Sequence, residues 1–214
     1  GEYNEACRRA KGNGRNGSGM LFDAPADIAE EVTDAPLLVL TENIFGVDLD
    51  TQAVEVAKLS LWLRYMALNR ESFRDRLRSR SRRGKPLNLL PTLTRNLKRG
   101  NSLIDAPVAG DAAFTWQKEF PEVMQAGGFD VVIGNPPYER IQTMQEQAPE
   151  VVEFLKGKYH SAASGNFDIY VCFIERGLEL LRPEGRFGYI TPNKFFQLEY
   201  GEELRRLLTE GRHV

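Results

Sequence analysis

Asn135-Pro136-Pro137-Tyr138 follows directly on the apolar run Phe129-Asp130-Val131-Val132-Ile133-Gly134, and this junction restricts the fold more than any other stretch. Adjacent prolines lack amide donors and hold φ near about −65°, so they can neither extend a strand ladder nor enter a helix interior. The residue before each proline is forced to be extended. The β-branched run reads as a buried strand, and that strand must leave the sheet as a stiff turn. The turn carries the Asn135 amide, backbone carbonyls with no local ladder partner and the Tyr138 ring. Such a turn offers acceptors and a flat apolar face to a planar, amine-bearing ligand. Asn-Pro-Pro is also ordinary loop punctuation. Its place at the carboxyl end of a strand, where open α/β sheets bind ligands, favours the functional reading.

The rest of the pattern alternates strands with helices. Ile44-Phe45-Gly46-Val47-Asp48 reads as a short buried strand. Asp50 suits an N-cap, and Thr51 to about Asn69 reads as a helix with Val54, Ala57, Leu61, Met66 and Leu68 on its apolar face. Arg95 to Lys98 suggest a strand ending at Gly100-Asn101-Ser102-Leu103. A helix interrupted near Pro121 is expected over Ala113 to Met124. Glu139 to Asn166 is polar, with a short helix at Glu150 to Lys156. An amphipathic helix runs from about Asp168 to Leu181 and is stopped by Pro183-Glu184-Gly185. Phe187 to Thr191 form a strand, and a last helix begins near Glu202. This order indicates α/β architecture with a mainly parallel sheet. Residues 1–36 are loop-rich; 37–214 form the structured unit, with a basic insertion at about 70–100. Gly12 to Gly19 is a flexible linker and not a phosphate loop, since no strand precedes it and no Gly-Lys-Ser/Thr ends it.

Charge and cysteine usage narrow the setting. The net charge of −2 conceals eleven Lys/Arg between Arg70 and Gly100, against Glu71 and Asp75. Such a cluster attracts phosphate backbones, although charge runs are often only solvated surface. No aromatic residue lies between Phe73 and Gly100, so no stacking platform for single strands is indicated there. Cys7, Cys172, His160 and His213 make no metal-ligand spacing, and no metal is expected. The most apolar stretch, Val54 to Leu68, is too short and too charged to span a bilayer. A reducing, cytoplasmic location without membrane contact is expected.

Asp48, Asn101 and Asn135 all stand at the carboxyl end of a predicted strand. An acid there can accept bonds from ribose hydroxyls, or act as a second helix-capping group beside Asp50. Asn101 can bond an adenine edge or cap a turn.

With these positions in view, the chain resembles the N6-adenine DNA methyltransferases that use S-adenosylmethionine, in the branch found in large fused restriction-modification and phage-defence enzymes. Ile44 to Asp50 with Ala53 to Leu63 resemble that branch's ribose-binding strand and helix. Arg99-Gly100-Asn101-Ser102-Leu103 resemble the adenine-contacting segment of the cofactor site. Asn135 to Tyr138 match the catalytic motif, and Phe167 to Arg176 and Gly188 to Phe195 resemble the helix and strand that follow. The resemblance covers about residues 37–208.

It implies a Rossmann-like sheet with helices on both faces, and cofactor contacts from Asp48, Leu49, Asn101 and Ser102. It implies that Asn135, Pro136, Pro137 and Tyr138 are catalytic. The Asn135 oxygen and the Pro136 carbonyl accept both N6 hydrogens and localise the lone pair on nitrogen. Direct in-line methyl transfer follows, with no covalent enzyme intermediate. The partner is double-stranded DNA with the target adenine flipped out and stacked on Tyr138. The family's glycine-rich cofactor loop on the first strand, its final antiparallel hairpin, a second base-clamping aromatic and the target-recognition domain have no counterpart here. The chain therefore reads as an internal piece of a larger enzyme, and the isolated 214 residues are expected to bind the cofactor weakly or not at all. Two other functions stand beside this one: methylation of a glutamine side-chain amide in a protein, and a non-catalytic DNA-binding or scaffold role. The basic insertion and the Asp168 to Glu175 segment favour DNA.

Overall fold

A computed structural model describes residues 35–71, 74, 78, 92–108, 113–163 and 166–210. The glycine-rich linker and nearly all of the loop-rich N-terminal segment lie outside the described residues, as does most of the basic insertion.

A single helical turn, Ala35–Leu38 (α1), runs into the π-helical turn Val39–Asn43 and then into strand β1, Gly46–Asp48. Helix α2, Thr51–Leu68, starts where expected because the Asp50 side chain accepts from Gln52 N at 2.8 Å. Asn69 closes it, its amide group and its backbone N–H both donating to Tyr65 O. Strand β2, Leu97–Arg99, pairs parallel to β1 with Gly46 opposite Leu97 and Asp48 opposite Arg99. Buried Asn96 ties the π-helical turn to this unit by donating to Thr41 O and Ile44 O.

Short helices α3 (Trp116–Glu119) and α4 (Pro121–Gln125) lead to strand β3, Phe129–Gly134. Gly128 before it has φ +120°, and a Cβ there would lie 2.6 Å from Leu180 O, so only glycine fits. Helices α5 (Ile141–Gln147), α6 (Pro149–Lys158) and α7 (Tyr170–Glu179) connect β3 to strand β4, Leu181–Tyr189, which pairs parallel to β3. A register shift between Phe129 and Val131 absorbs the Pro183-Glu184-Gly185 bend. Helix α8, Glu202–Glu210, follows two 3₁₀ turns.

Two apolar cores result. Leu40, Val54, Trp62, Tyr65, Leu93 and Leu97 bury α2 against β1 and β2. A larger core centres on α7, where Tyr170, Val171, Cys172, Ile174 and Leu178 are buried. Burying such a side chain contributes about 1.5–3 kcal/mol relative to exposure, so α7 anchors this half of the chain. The two halves meet through Phe45, Phe114, Trp116, Phe120 and Phe129, whose rings stand edge-on or tilted at centroid separations of 5.3 to 6.3 Å.

The structure corrects two expectations. Ala57 and Leu68 are exposed, so the buried face of α2 is the one carrying Val54, Trp62 and Tyr65. Val56, Leu59 and Leu63 are also exposed. This helix is apolar nearly all round, and only packing chooses the inward face. The polar stretch after Tyr138 is mostly helical: Ile141 and Met144 suffice to seat α5 on the main core. Among the described residues, no helix is long and apolar enough to cross a membrane, and no His, Cys, Asp or Glu group could hold a metal ion.

Candidate active site

The carboxyl ends of all four strands border one cavity of ≈ 680 Å³, within the range of small-ligand sites. Asp48 and Leu49 arrive from β1, Asn101 and Ser102 from the end of β2, and Asn135, Pro136 and Pro137 from the end of β3. Tyr138 is not among the residues that line this cavity; it is half exposed and joined to Asn135 by its hydroxyl. The structure thus brings three distant segments, residues 48–49, 101–102 and 135–137, to one cavity.

Local hydrogen bonds set each of these groups. Asp48 Oδ1 accepts from Asp50 N at 2.8 Å, which fixes the carboxylate while its second oxygen makes no hydrogen bond among the described residues. Both roles weighed for Asp48 are therefore compatible: it braces the strand-to-helix turn and still borders the cavity. Asn101 Oδ1 accepts from Leu103 N at 3.2 Å, which turns the chain after β2. Trp116 donates its indole N–H to Ser102 O at 3.0 Å. The carbonyls of Asn135, Pro136 and Pro137 accept no backbone hydrogen bond among the described residues. Pro136 is buried while its neighbours are open.

Behind the cavity lies a charged bracket that no sequence motif announced. Lys158 of α6 donates to Asp105, and Arg176 of α7 lies 3.6 Å from the same carboxylate. Arg176 Nε also donates to the Tyr159 hydroxyl at 3.0 Å, and that hydroxyl donates to Leu103 O at 2.7 Å. Burial opposes ionisation of Asp105, but the Lys158 hydrogen bond and the Lys158 and Arg176 charges outweigh it and hold its carboxyl below the ordinary range. The adjacent Glu175 is buried and accepts from His160 N and Ser161 N. Consecutive residues of α7 therefore clamp two loops, one of them the segment following Asn101. The signals were present as acids and bases in the sequence, but their pairing spans 53 and 15 positions.

Of the basic residues, Arg95 pairs with Glu122, Lys98 with Glu119, and Arg99 donates to Leu49 O. These brace the fold. Arg70, Arg74 and Arg78 are exposed.

Two parallel strand pairs with helical connections, and an acid, amides and a proline turn at the strand ends, define an α/β protein with a cavity at the carboxyl ends of its strands. The chain belongs to the Eco57I restriction-modification methylase family, which it matches over residues 42–214. It is similar to the type II restriction enzyme and methyltransferase RM.Eco57I of Escherichia coli, with 32% identity over 179 residues covering 82% of this chain and 16% of that protein. It is also similar to the type II methyltransferase M.BstVI of Geobacillus stearothermophilus (34% identity, 46% of this chain, 16% of that protein). The adenine-specific methyltransferase PglX of Streptomyces coelicolor shares 27% identity over 76% of this chain and 14% of that protein. The chain spans about a sixth or less of the length of these relatives.

Proposed function

We propose that this chain is the catalytic core of an S-adenosylmethionine-dependent methyltransferase acting on the N6 amine of adenine in DNA, within a larger restriction-modification or phage-defence enzyme. One observation carries this reading: the Asn135–Pro136 acceptors share a single cavity with Asp48, Leu49, Asn101 and Ser102. The names of the relatives supply methyl transfer, for one of them restriction, and for another the adenine.

The donor set fits a nucleoside cofactor. Asp48 retains an acceptor oxygen for ribose hydroxyls, Asn101 and Ser102 offer polar groups to an adenine edge, and Leu49 gives an apolar wall. S-adenosylmethionine bound there supplies an electrophilic sulfonium methyl. The chain's own contribution concerns the acceptor. An exocyclic adenine amine is a poor nucleophile because its lone pair is delocalised into the ring. Asn135 Oδ1 and Pro136 O accept the N6 hydrogens and draw that lone pair back onto nitrogen, and they need no reorganisation to do so. Tyr138 is the stacking wall for a base extruded from the duplex.

The same reading assigns the two strand pairs to one Rossmann-like sheet. The strand pairs β1–β2 and β3–β4 are separate among the described residues, yet β1 and all of β3 except Asp130 line the cavity, and the Phe45 and Phe129 rings are 5.7 Å apart. Val131 and Ile133 of β3 are exposed beside this gap.

The test is methyl transfer from labelled cofactor by the whole protein that carries this chain, with duplex DNA and a glutamine-bearing protein acceptor offered separately. Label in N6-methyladenine is the expected outcome. Label confined to the protein acceptor would replace DNA with the glutamine amide as substrate.

A further inference from the structure

The Tyr138 hydroxyl sits between two oxygen atoms. It lies 2.8 Å from the Asn135 side-chain oxygen and 2.7 Å from the Ile190 carbonyl. A phenol has one proton, a backbone carbonyl only accepts, and an amide side chain has one accepting and one donating end of nearly equal shape. The hydroxyl cannot donate to both neighbours. Ile190 is itself held beside the turn, because its N–H donates to Gly134 O at 3.1 Å and continues the β3–β4 pairing. The ring is braced as well: it stands edge-on to Tyr170 at 6.3 Å and 87°, and Tyr170 is fully buried with its hydroxyl 2.9 Å from that of Tyr200. Two oxygens that close to the hydroxyl are compatible with one proton only if the Asn135 amide is turned.

We infer that the Tyr138 hydroxyl, donating to the Ile190 carbonyl and accepting from Asn135 Nδ2, fixes the orientation of the Asn135 amide. This leaves Oδ1 uncommitted on a residue that lines the cavity. Tyr138 is then a positioning residue for Asn135 in addition to being a wall for the target ring. The inference rests on the methyltransferase reading above, and it extends that reading to selectivity. With Oδ1 and the Pro136 carbonyl presented together, the turn faces its target with acceptors only. A ring bearing an exocyclic amine is accepted, and one bearing a carbonyl at the same place meets like partial charges.

Tyr138→Phe in the whole protein keeps the ring and removes the relay. We expect kcat to fall roughly tenfold or more with KM for DNA and cofactor unchanged, the pattern of an interaction that matters at the transition state. Fluorescence of 2-aminopurine at the target position should match the parent, since stacking is retained. In an Asn135→Asp background the same substitution should change kcat by less than about twofold, because a carboxylate presents oxygen in either orientation and the two losses do not add. A structural role for the hydroxyl would give additive losses and would overturn the inference. Where Asn135→Asp is itself inactive, binding gives the answer. The parent should prefer duplex with adenine over hypoxanthine at the target, and Tyr138→Phe should lose that preference. A retained preference, or kcat of Tyr138→Phe within about twofold of the parent, overturns the relay alone. Failure of the parent to methylate adenine overturns the underlying reading and the relay with it.

Discussion

Asn135 and Tyr138 place different demands on the same turn, and single substitutions separate them. Asn135→Ala removes the side-chain acceptor, and Tyr138→Ala removes both the ring and the hydroxyl that holds the amide. Each should lower methyl transfer by about a hundredfold or more, the size seen when one preorganised polar partner of a transition state is deleted. Circular dichroism and thermal melting should be close to the parent, because both side chains are exposed and neither belongs to a core. Unchanged turnover in either variant would remove it from the reaction. At Gly100 the outcome is reversed. A Cβ there would lie 2.0 Å from Phe114 Cδ2, so Gly100→Ala must displace a ring packed between the two halves. Such overpacking costs about 1–3 kcal/mol, and it should appear as a lower denaturation midpoint together with weaker cofactor binding, because Asn101 is the next residue.

Between elements, the bracket that Asp105, Lys158 and Arg176 form holds the Asn101 to Asp105 segment against α6 and α7. The carboxylate's folded pKa lies below its ordinary value of 3.8. Its stabilising contribution is therefore complete above that ordinary value and is lost as pH falls through the folded value. Asp105→Asn should cost about 1 kcal/mol at neutral pH, a figure kept small because the pair is partly solvated. The difference from the parent should shrink as pH drops below 3.8; urea unfolding at neutral and acid pH measures both. A constant difference across that range would exclude the charge as its cause. The helices that make this bracket differ in how readable they were. The spacing of Tyr170, Ile174 and Leu178 showed α7 plainly, and Asp50 marked the start of α2. Helix α5 was hidden because Ile141 and Met144 are too few to show a period. The inward face of α2 was hidden for the opposite reason, since apolar residues occupy most of its circumference.

For the whole molecule, the asymmetry of charge is the property that acts at a distance. Arg74, Arg76, Arg78, Arg80, Arg82 and Arg83 follow α2 with only Glu71 and Asp75 as acidic neighbours, whereas Arg95 pairs with Glu122 at the surface, Lys98 with Glu119, and Arg99 with Leu49 O. Changing the former six to Gln should weaken duplex binding and flatten its salt dependence by roughly 0.9 logarithmic units per lost phosphate contact. The same change on Arg95, Lys98 and Arg99 should alter the salt slope less, because each is already paired within the chain. Titrations of DNA binding at several salt concentrations distinguish the two groups, and an unaltered slope in the sixfold variant would return that stretch to solvated surface. The exposed Val56, Leu59 and Leu63 on α2 and Val131 and Ile133 on β3 mark where this molecule still has apolar surface to bury.

The sequence by itself determined the strand ends. Proline's missing donor and fixed φ, the capping carboxylate of Asp50 and the periodicity of α7 are local properties, and each acts within a few residues of where it is written. It also showed which groups the turn carries, because an amide, two prolines and a phenol are adjacent in the chain. What tertiary structure alone decided is everything that depends on two distant segments meeting. The Tyr138 hydroxyl and the Ile190 carbonyl are 52 positions apart, and Asp105 and Lys158 are 53 apart. The Tyr138 hydroxyl meets both Asn135 and the Ile190 carbonyl only because parallel pairing of β3 with β4 sets Ile190 beside the turn. Local pattern can specify which groups are available; the sheet register and the packing of α7 beneath it decide which of them face one another.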